Sequence, residues 1–392
     1  VIKRHFAADL LRKLKTFPLV TLLGPRQCGK TTFIRDQLES WTYVDLERPS
    51  DFEPLAADPE HWLNAWQRRV IFDEAQRLPA LFPVLRSHVD GNRSRKGQFV
   101  LLGSASPALA QQMSESLAGR TSFIEMTPFR WNEVCRMTRA SLLTLWFRGG
   151  FPDAFLERSD RARLDWFESY TRTFIERDLM ALGIEISPVQ MRKLWTMLAH
   201  VHGRVWNASP LAASLGTSYH TINRYTDILE QAFLVRRLPP YFTNIGKRLT
   251  KSPKIYLRDS GLLHYFLGIQ SPAQLEVSPS RGASWEGFMV EHLISAFQMQ
   301  VPGTQAFYWR TAAGAEVDIL IQKGERLIPF EVKLHSAPTP QDIRGLRQCM
   351  ADLKLSRGYL LYPGKEDYSL GHGVMVLSAN RLFSSPEKCR DL

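Results

Sequence analysis

Residues 19–23, 70–72 and 99–102 are short, nearly uninterrupted apolar runs, separated by stretches in which polar residues recur at helical spacing. Runs this short read as buried strands. Strands alternating with helices predict a parallel sheet covered on both faces, and so an α/β fold class. Residues 43–46 read as a further strand, close to that of residues 19–23. The chain leads into this unit from Val1, Ile2, Lys3, Arg4 and His5 through an amphipathic helix, not a signal peptide. Pro79, Pro83 and residues 90–97 punctuate the unit, and Asn92 to Lys96 forms a basic loop.

Beyond about residue 136 the texture turns helical. Residues 142–147, 161–182 and 189–202 read as helices, with a turn at Gly149, Gly150, Phe151 and Pro152. Residues 207–225 read as a helix, a turn at Gly216 and a second helix with polar residues at its start, the texture of a helix-turn-helix. Residues 233–238 and 254–257 then suit a two-stranded wing. Either Ser218, His220, Thr221, Asn223 and Arg224 touch DNA, or the fold packs as a lid on an ATPase core. From about 275 the pattern returns to α/β, with helices at 284–298 and 342–351 and strands at 306–310, 317–322, 327–333 and 358–362. The expected division is 1–135, 136–270 and 271–392.

The strand at 19–23 runs into Gly24, Pro25, Arg26, Gln27, Cys28, Gly29, Lys30, Thr31 and Thr32, a full match to the phosphate-binding loop pattern. The two glycines let successive backbone N–H groups face phosphate oxygens. Lys30 adds a point charge for the β- and γ-phosphates, and the Thr31 hydroxyl suits Mg²⁺. A helix starting beyond the loop turns its positive end toward the anion. The expected cofactors are therefore ATP and Mg²⁺. Residues 70–72 end in Asp73 and Glu74, at the strand edge where ligands bind in open parallel sheets. Asp73 suits the metal shell and Glu74 suits the polarisation of water. Ser104 ends the strand at 99–104, where it is either a γ-phosphate sensor between those two strands or a helix cap. Cys28 reads as a tolerated variable position of the loop, with a nucleotide-blocking oxidation as the alternative.

The chain has 392 residues and a formal net charge of +11. That surplus favours an acidic partner, nucleic acid before membrane. No stretch approaches the roughly 18 apolar residues of a membrane span. Cys28, Cys135, Cys349 and Cys389 are scattered, which argues against a disulfide framework or a zinc site and for a cytoplasmic location.

A second constellation lies near the C-terminus. Asp318 is followed by Glu331, Val332 and Lys333, and on a strand Glu331 and Lys333 share a face. If the two strands are neighbours, Asp318 and Glu331 suit a divalent metal and Lys333 suits the phosphoryl group, with Glu286 or Glu291 completing the set. The alternative is a hairpin with charged residues on its wet face, and such a fold can also persist as a binding module without cutting.

These motifs together resemble the AAA-type prokaryotic P-loop ATPases that carry a C-terminal PD-(D/E)XK restriction-endonuclease-like domain of unknown function. The resemblance runs from the phosphate loop through Ile71 to Ala75, Leu102 to Ser104 and Leu117 to Arg120. It continues in Pro128, Phe129 and Glu133, Gly149 to Pro152, Glu176 to Asp178, Lys254 to Tyr256 and Asp259 to Leu262, and ends at Glu316 to Asp318 and Glu331 to Lys333. It implies a AAA-type ATPase domain, a winged-helix middle and a nuclease-like C-terminal domain. The family pattern often has Thr where this chain has Leu102. Arg120 and Arg177 are the candidate arginine fingers, each with a structural salt bridge as the alternative. A finger acts on a neighbour's γ-phosphate, so it implies a homo-oligomer, with a ring or partial ring as possible forms. The expectation is a DNA-acting ATPase that remodels or translocates nucleic acid. The alternatives are a nucleotide-controlled switch or scaffold for a protein partner, and an ATP-dependent nuclease.

Overall fold

The computed structural model describes residues 2–65, 69–104, 116–137, 140–181, 186–242 and 252–392. The chain divides into two compact units, Val1–Phe129 with Ile228–Phe233, and Arg130–Asp227 with Leu234–Leu392.

The first unit is built on a five-stranded parallel sheet of β1 (Leu19–Gly24), β2 (Thr42–Asp45), β3 (Val70–Asp73), β4 (Phe99–Ser104) and β5 (Thr121–Glu125), in the order β2-β3-β4-β1-β5. The three predicted apolar runs are β1, β3 and β4. Their side chains alternate between two cores. Leu19, Phe72, Phe99 and Leu101 pack on one face with Leu81, Phe82 and Leu85. Val20, Leu22, Ile71, Val100 and Leu102 pack on the other with Leu10, Phe33 and Ile34. Burial on both faces explains why these strands read as continuous apolar runs. β4 lies between β1 and β3, as expected for the strand carrying Ser104.

Two expectations need correction. β2 was expected close to β1, but it pairs with β3 at the sheet edge, with β3 and β4 between it and β1. Its pattern, only partly buried, reflects that edge position. Pro83 does not interrupt the chain: it falls in the first turn of the helix Leu81–Gly91, where no intrahelical N–H bond is lost.

In the second unit, the helix expected over 161–182 is α-helical over Asp160–Thr173 and continues as a π-helical turn, Phe174–Asp178, and a short helix, Leu179–Ala181; Leu182 lies outside the described residues. The helices Ala208–Leu215 and Tyr219–Gln231 flank Gly216, whose φ of 62° ends the first of them in the left-handed conformation. β6 (Val235–Leu238) and β7 (Lys254–Leu257) pair antiparallel. A long helix, Arg281–Gln300, precedes a six-stranded mixed sheet of β8 (Gln305–Arg310), β9 (Glu316–Lys323), β10 (Arg326–Val332), β11 (Gly358–Tyr362), β12 (Tyr368–Gly371) and β13 (Val374–Ser378), ordered β12-β13-β11-β10-β9-β8. The sequence reading missed β5 of the first sheet and β12 and β13 of this one. No helix among the described residues is long and apolar enough to cross a membrane.

Candidate functional site

The phosphate-loop residues connect the C-terminal end of β1 to the helix Lys30–Gln37. A Cβ on Gly24 would lie 2.1 Å from the Met126 carbonyl oxygen, so no larger residue fits there. Gly29 has φ 93°, a region that L-residues rarely adopt, and it starts the helix. The first N–H groups of that helix have no intrahelical partner and face the loop. Below the loop, Arg4 donates from Nη1 to the Cys28 carbonyl at 2.8 Å. Cys28 itself is fully buried, with Sγ 3.7 Å from the Met126 carbonyl oxygen. Arg26 pairs with Glu47 at 3.5 Å, Gln27 has φ 58°, and Thr32 is exposed on the first helical turn.

Lys30 is buried, and its ammonium donates to the carbonyls of Gly24 and Pro25 at 3.0 and 2.9 Å. The Thr31 hydroxyl donates to Asp73 Oδ2 at 2.6 Å. The structure therefore brings the two expected metal-shell residues into direct contact, although they lie 42 positions apart. Tyr43 on β2 donates to the same oxygen at 2.6 Å, and the Glu74 backbone N–H donates to Asp73 Oδ1 at 2.9 Å. Burial, then the hydrogen bond to Asp73, push the Tyr43 phenol above its ordinary value of 10.0. The Arg35 guanidinium lies 4.3 Å from the centroid of the Tyr43 ring. A buried carboxylate held by two hydroxyls and an amide, beside a lysine that donates only to carbonyls, is a donor set that fits a phosphate-bound divalent cation.

Glu74 adopts φ 52° and ψ 46°, an uncommon left-handed conformation for a non-glycine residue, as β3 turns into the next element. Its carboxylate accepts a hydrogen bond from Gln76 Nε2. Ser104 pairs opposite Gly24 in the sheet; its side chain lies outside the described residues. Arg120 lies at the other end of the sheet. Its carbonyl accepts from Leu19 at the start of β1, and its guanidinium grips Asp90 at 2.8 and 2.7 Å. That grip holds the Asp90 carboxyl down to about 2. Arg177 is exposed on the π-helical turn of the second unit.

In the second unit, β9 and β10 are antiparallel neighbours, and their register continues to set Asp318 opposite Glu331. Asp318 Oδ2 accepts from the Val332 N–H at 2.8 Å, and Lys333 pairs with Glu331 at 2.7 Å. Burial and Glu286 push Asp318 up, while burial and Asp318 push Glu331 up. Glu286 does approach this pair, but through Lys254 of β7. The Lys254 ammonium meets Glu286 at 2.8 Å, Glu316, and Asp318 at 3.7 Å. Tyr256 donates to Glu286 at 2.6 Å. Among the described residues, no three carboxylate, imidazole or thiol groups converge in an arrangement that could hold a metal ion. The set therefore does not fit a divalent cation as it stands. Glu291, the other residue expected to complete this set, belongs elsewhere: it is fully buried and accepts from Arg130, Arg236 and Arg258.

Tyr43, Gln76, Arg4 and Lys254 were not singled out as site residues. Tyr43 and Lys254 lay inside predicted strands, where a polar residue carries no signal of its long-range partner.

Residues 16–135 match the family described as AAA domain, residues 139–273 match a domain of unknown function (DUF8612), and residues 281–382 match another (DUF4143). The chain is 42% identical over 386 residues to the uncharacterized protein Rv2008c of Mycobacterium tuberculosis, covering 98% of this chain and 85% of the relative. The uncharacterized protein Mb2031c of Mycobacterium bovis matches with the same figures. An uncharacterized protein of Haemophilus influenzae is 21% identical over 303 residues, 68% of this chain and 74% of that one. Among solved structures, the Walker-type ATPase PABY2304 of Pyrococcus abyssi is 13% identical, with 68% of this chain and 96% of that chain covered and a TM-score of 0.48. With its phosphate loop and acidic strand inside a AAA domain, and with 42% identity to Rv2008c across 98% of its length, this chain belongs to the Rv2008c family and carries the AAA domain of the P-loop ATPases.

Proposed function

We propose that the protein is a Mg²⁺-dependent ATPase of AAA type that acts on DNA as a homo-oligomer. The observation that carries the ATPase reading is the 2.6 Å contact between Thr31 and Asp73, beside the buried Lys30. Residues 24–32 would cradle the triphosphate through backbone N–H groups, with Lys30 leaving its loop carbonyls for the phosphate oxygens. Thr31 and Asp73 would hold Mg²⁺, which when bound supplies positive charge to the phosphates. Tyr43 keeps Asp73 oriented. Glu74 is the general base for the attacking water, and Gln76 holds its carboxylate aside until nucleotide is in place. Ser104 is the candidate sensor. Arg120 and Arg177 are the candidate fingers, acting in trans on a neighbouring subunit.

The DNA reading rests on the net charge of +11 and on the helix Tyr219–Gln231. Its first residues Tyr219 and His220 are exposed, as are Ser218 just before it and Arg224. Asn223 is less available, because its Oδ1 accepts from Trp206 Nε1 at 2.9 Å. In this reading residues 1–135 are the ATPase domain, residues 136–270 a helical and winged-helix domain with β6 and β7 as the wing, and residues 271–392 a nuclease-like domain that grips DNA.

The test is steady-state ATP hydrolysis with Mg²⁺, with and without single-stranded, duplex and branched DNA, beside Glu74→Gln. Turnover that rises with one DNA form and vanishes in Glu74→Gln supports the proposal. Turnover indifferent to every DNA form overturns the DNA reading in favour of a nucleotide-controlled switch for a protein partner. Mg²⁺-dependent cleavage lost in Asp318→Ala would instead make the protein an ATP-dependent nuclease.

A further inference from the structure

The charged groups carried by β9 and β10 do not form an ordinary ion-pair surface. Lys254 is only 2% exposed, and its ammonium lies among the carboxylates of Glu286, Glu316 and Asp318. Its backbone is fixed twice, by pairing with Leu238 in β6 and by a bridge to Val205. The ammonium lies 5.7 Å from the centroid of the Tyr308 ring, a second feature that favours a cation there. Burial works against the lysine's charge, but Glu286, Tyr256, Asp318 and Glu316 outweigh it and hold it protonated. One acceptor is left over: Glu331 Oε2 is buried without a hydrogen-bond partner. An orphaned carboxylate oxygen beside Asp318 is what a cation site with an incomplete occupant leaves.

We propose that Lys254 is the resident cation of this carboxylate site, its ammonium taking the place of a divalent ion, so that the site admits such an ion only when Lys254 is removed or swung away. This rests on reading Glu286, Asp318 and Glu331 as a nuclease-type metal set. An ammonium and a divalent cation cannot share the same carboxylates, because their mutual repulsion grows in a site that excludes water. β7 thereby controls the chemistry of a sheet that follows it in the chain: with Lys254 in place its carboxylates hold no divalent ion.

The experiment measures Mn²⁺ binding by the electron paramagnetic resonance of the free ion, without nucleotide. It uses the full-length wild type, Asp318→Asn, Lys254→Met and the double variant. The phosphate loop is common to all four and cancels in the differences. The expected result is that wild type and Asp318→Asn bind alike, while Lys254→Met gains a site about tenfold or more tighter, absent from the double variant. Asp318-dependent Mn²⁺ binding in the wild type overturns the proposal and leaves the metal-set reading standing. A folded Lys254→Met that gains no site overturns both. If Lys254→Met does not fold, the wild type and Asp318→Asn pair still decides: a difference refutes the proposal and equality supports it.

Discussion

Glu291 is the most heavily committed carboxylate of the second unit, and replacing it with glutamine tests the charge arithmetic of that fold. Its side chain is 1% exposed and receives Arg130 Nη2 at 3.1 Å, Arg258 Nε at 3.1 Å, Arg236 Nη2 at 3.2 Å and Arg236 Nε. Burial opposes its charge, but Arg236, Arg258 and Arg130 outweigh burial and hold the carboxyl well below its ordinary 4.5. Glu291→Gln keeps the shape and removes the charge, leaving three guanidiniums around an amide whose NH₂ cannot accept their bonds. Breaking a buried pair by removing one partner costs about 3–5 kcal/mol. With three cations stranded, we expect about 4 kcal/mol or more. Urea unfolding followed by tryptophan fluorescence measures it, with the slope compared between variants to check that the transition is unchanged. The pH dependence has a definite sign. A depressed folded-state pKa contributes stability that is fully present above the unfolded value of 4.5 and is lost as pH falls toward the folded one. The gap between wild type and variant should therefore narrow on acidification below that value. A loss under about 1 kcal/mol at neutral pH, or a gap that widens in acid, would refute the reasoning.

The remaining expectations concern the phosphate loop. Lys30→Ala should abolish binding of a fluorescent ATP analogue while the thermal melt stays close to wild type; retained affinity would remove Lys30 from the site. Tyr43→Phe takes one of the two hydroxyls from Asp73 Oδ2, and it should raise the Mg²⁺ concentration for half-maximal turnover about tenfold with a smaller change in kcat. An unchanged Mg²⁺ dependence would make Tyr43 structural only. Gly24→Ala puts a methyl 2.1 Å from the Met126 carbonyl oxygen, so soluble, nucleotide-binding protein from that variant would contradict this packing.

The phosphate loop, the acidic end of β3 and four strands of each α/β sheet were legible in the chain because each is a local pattern, whereas β5, β12 and β13 were not. An apolar run of three to five residues marks a doubly buried strand, and Gly24 to Thr31 is a contiguous loop whose spacing carries its chemistry. The order of the first sheet was only partly legible, since β2 joins the edge beside β3 through parallel pairing across intervening helices. Local pattern says that a strand exists and leaves its neighbour open. The charged interior was not legible. Glu286 and Glu291 lie five positions apart on one helix and looked interchangeable, yet Lys254 takes one and three arginines from separate elements take the other. Sequence spacing therefore determined which residue types were on hand. Only the tertiary structure decided their partners, because a buried charge is stable only where folding delivers a counter-charge.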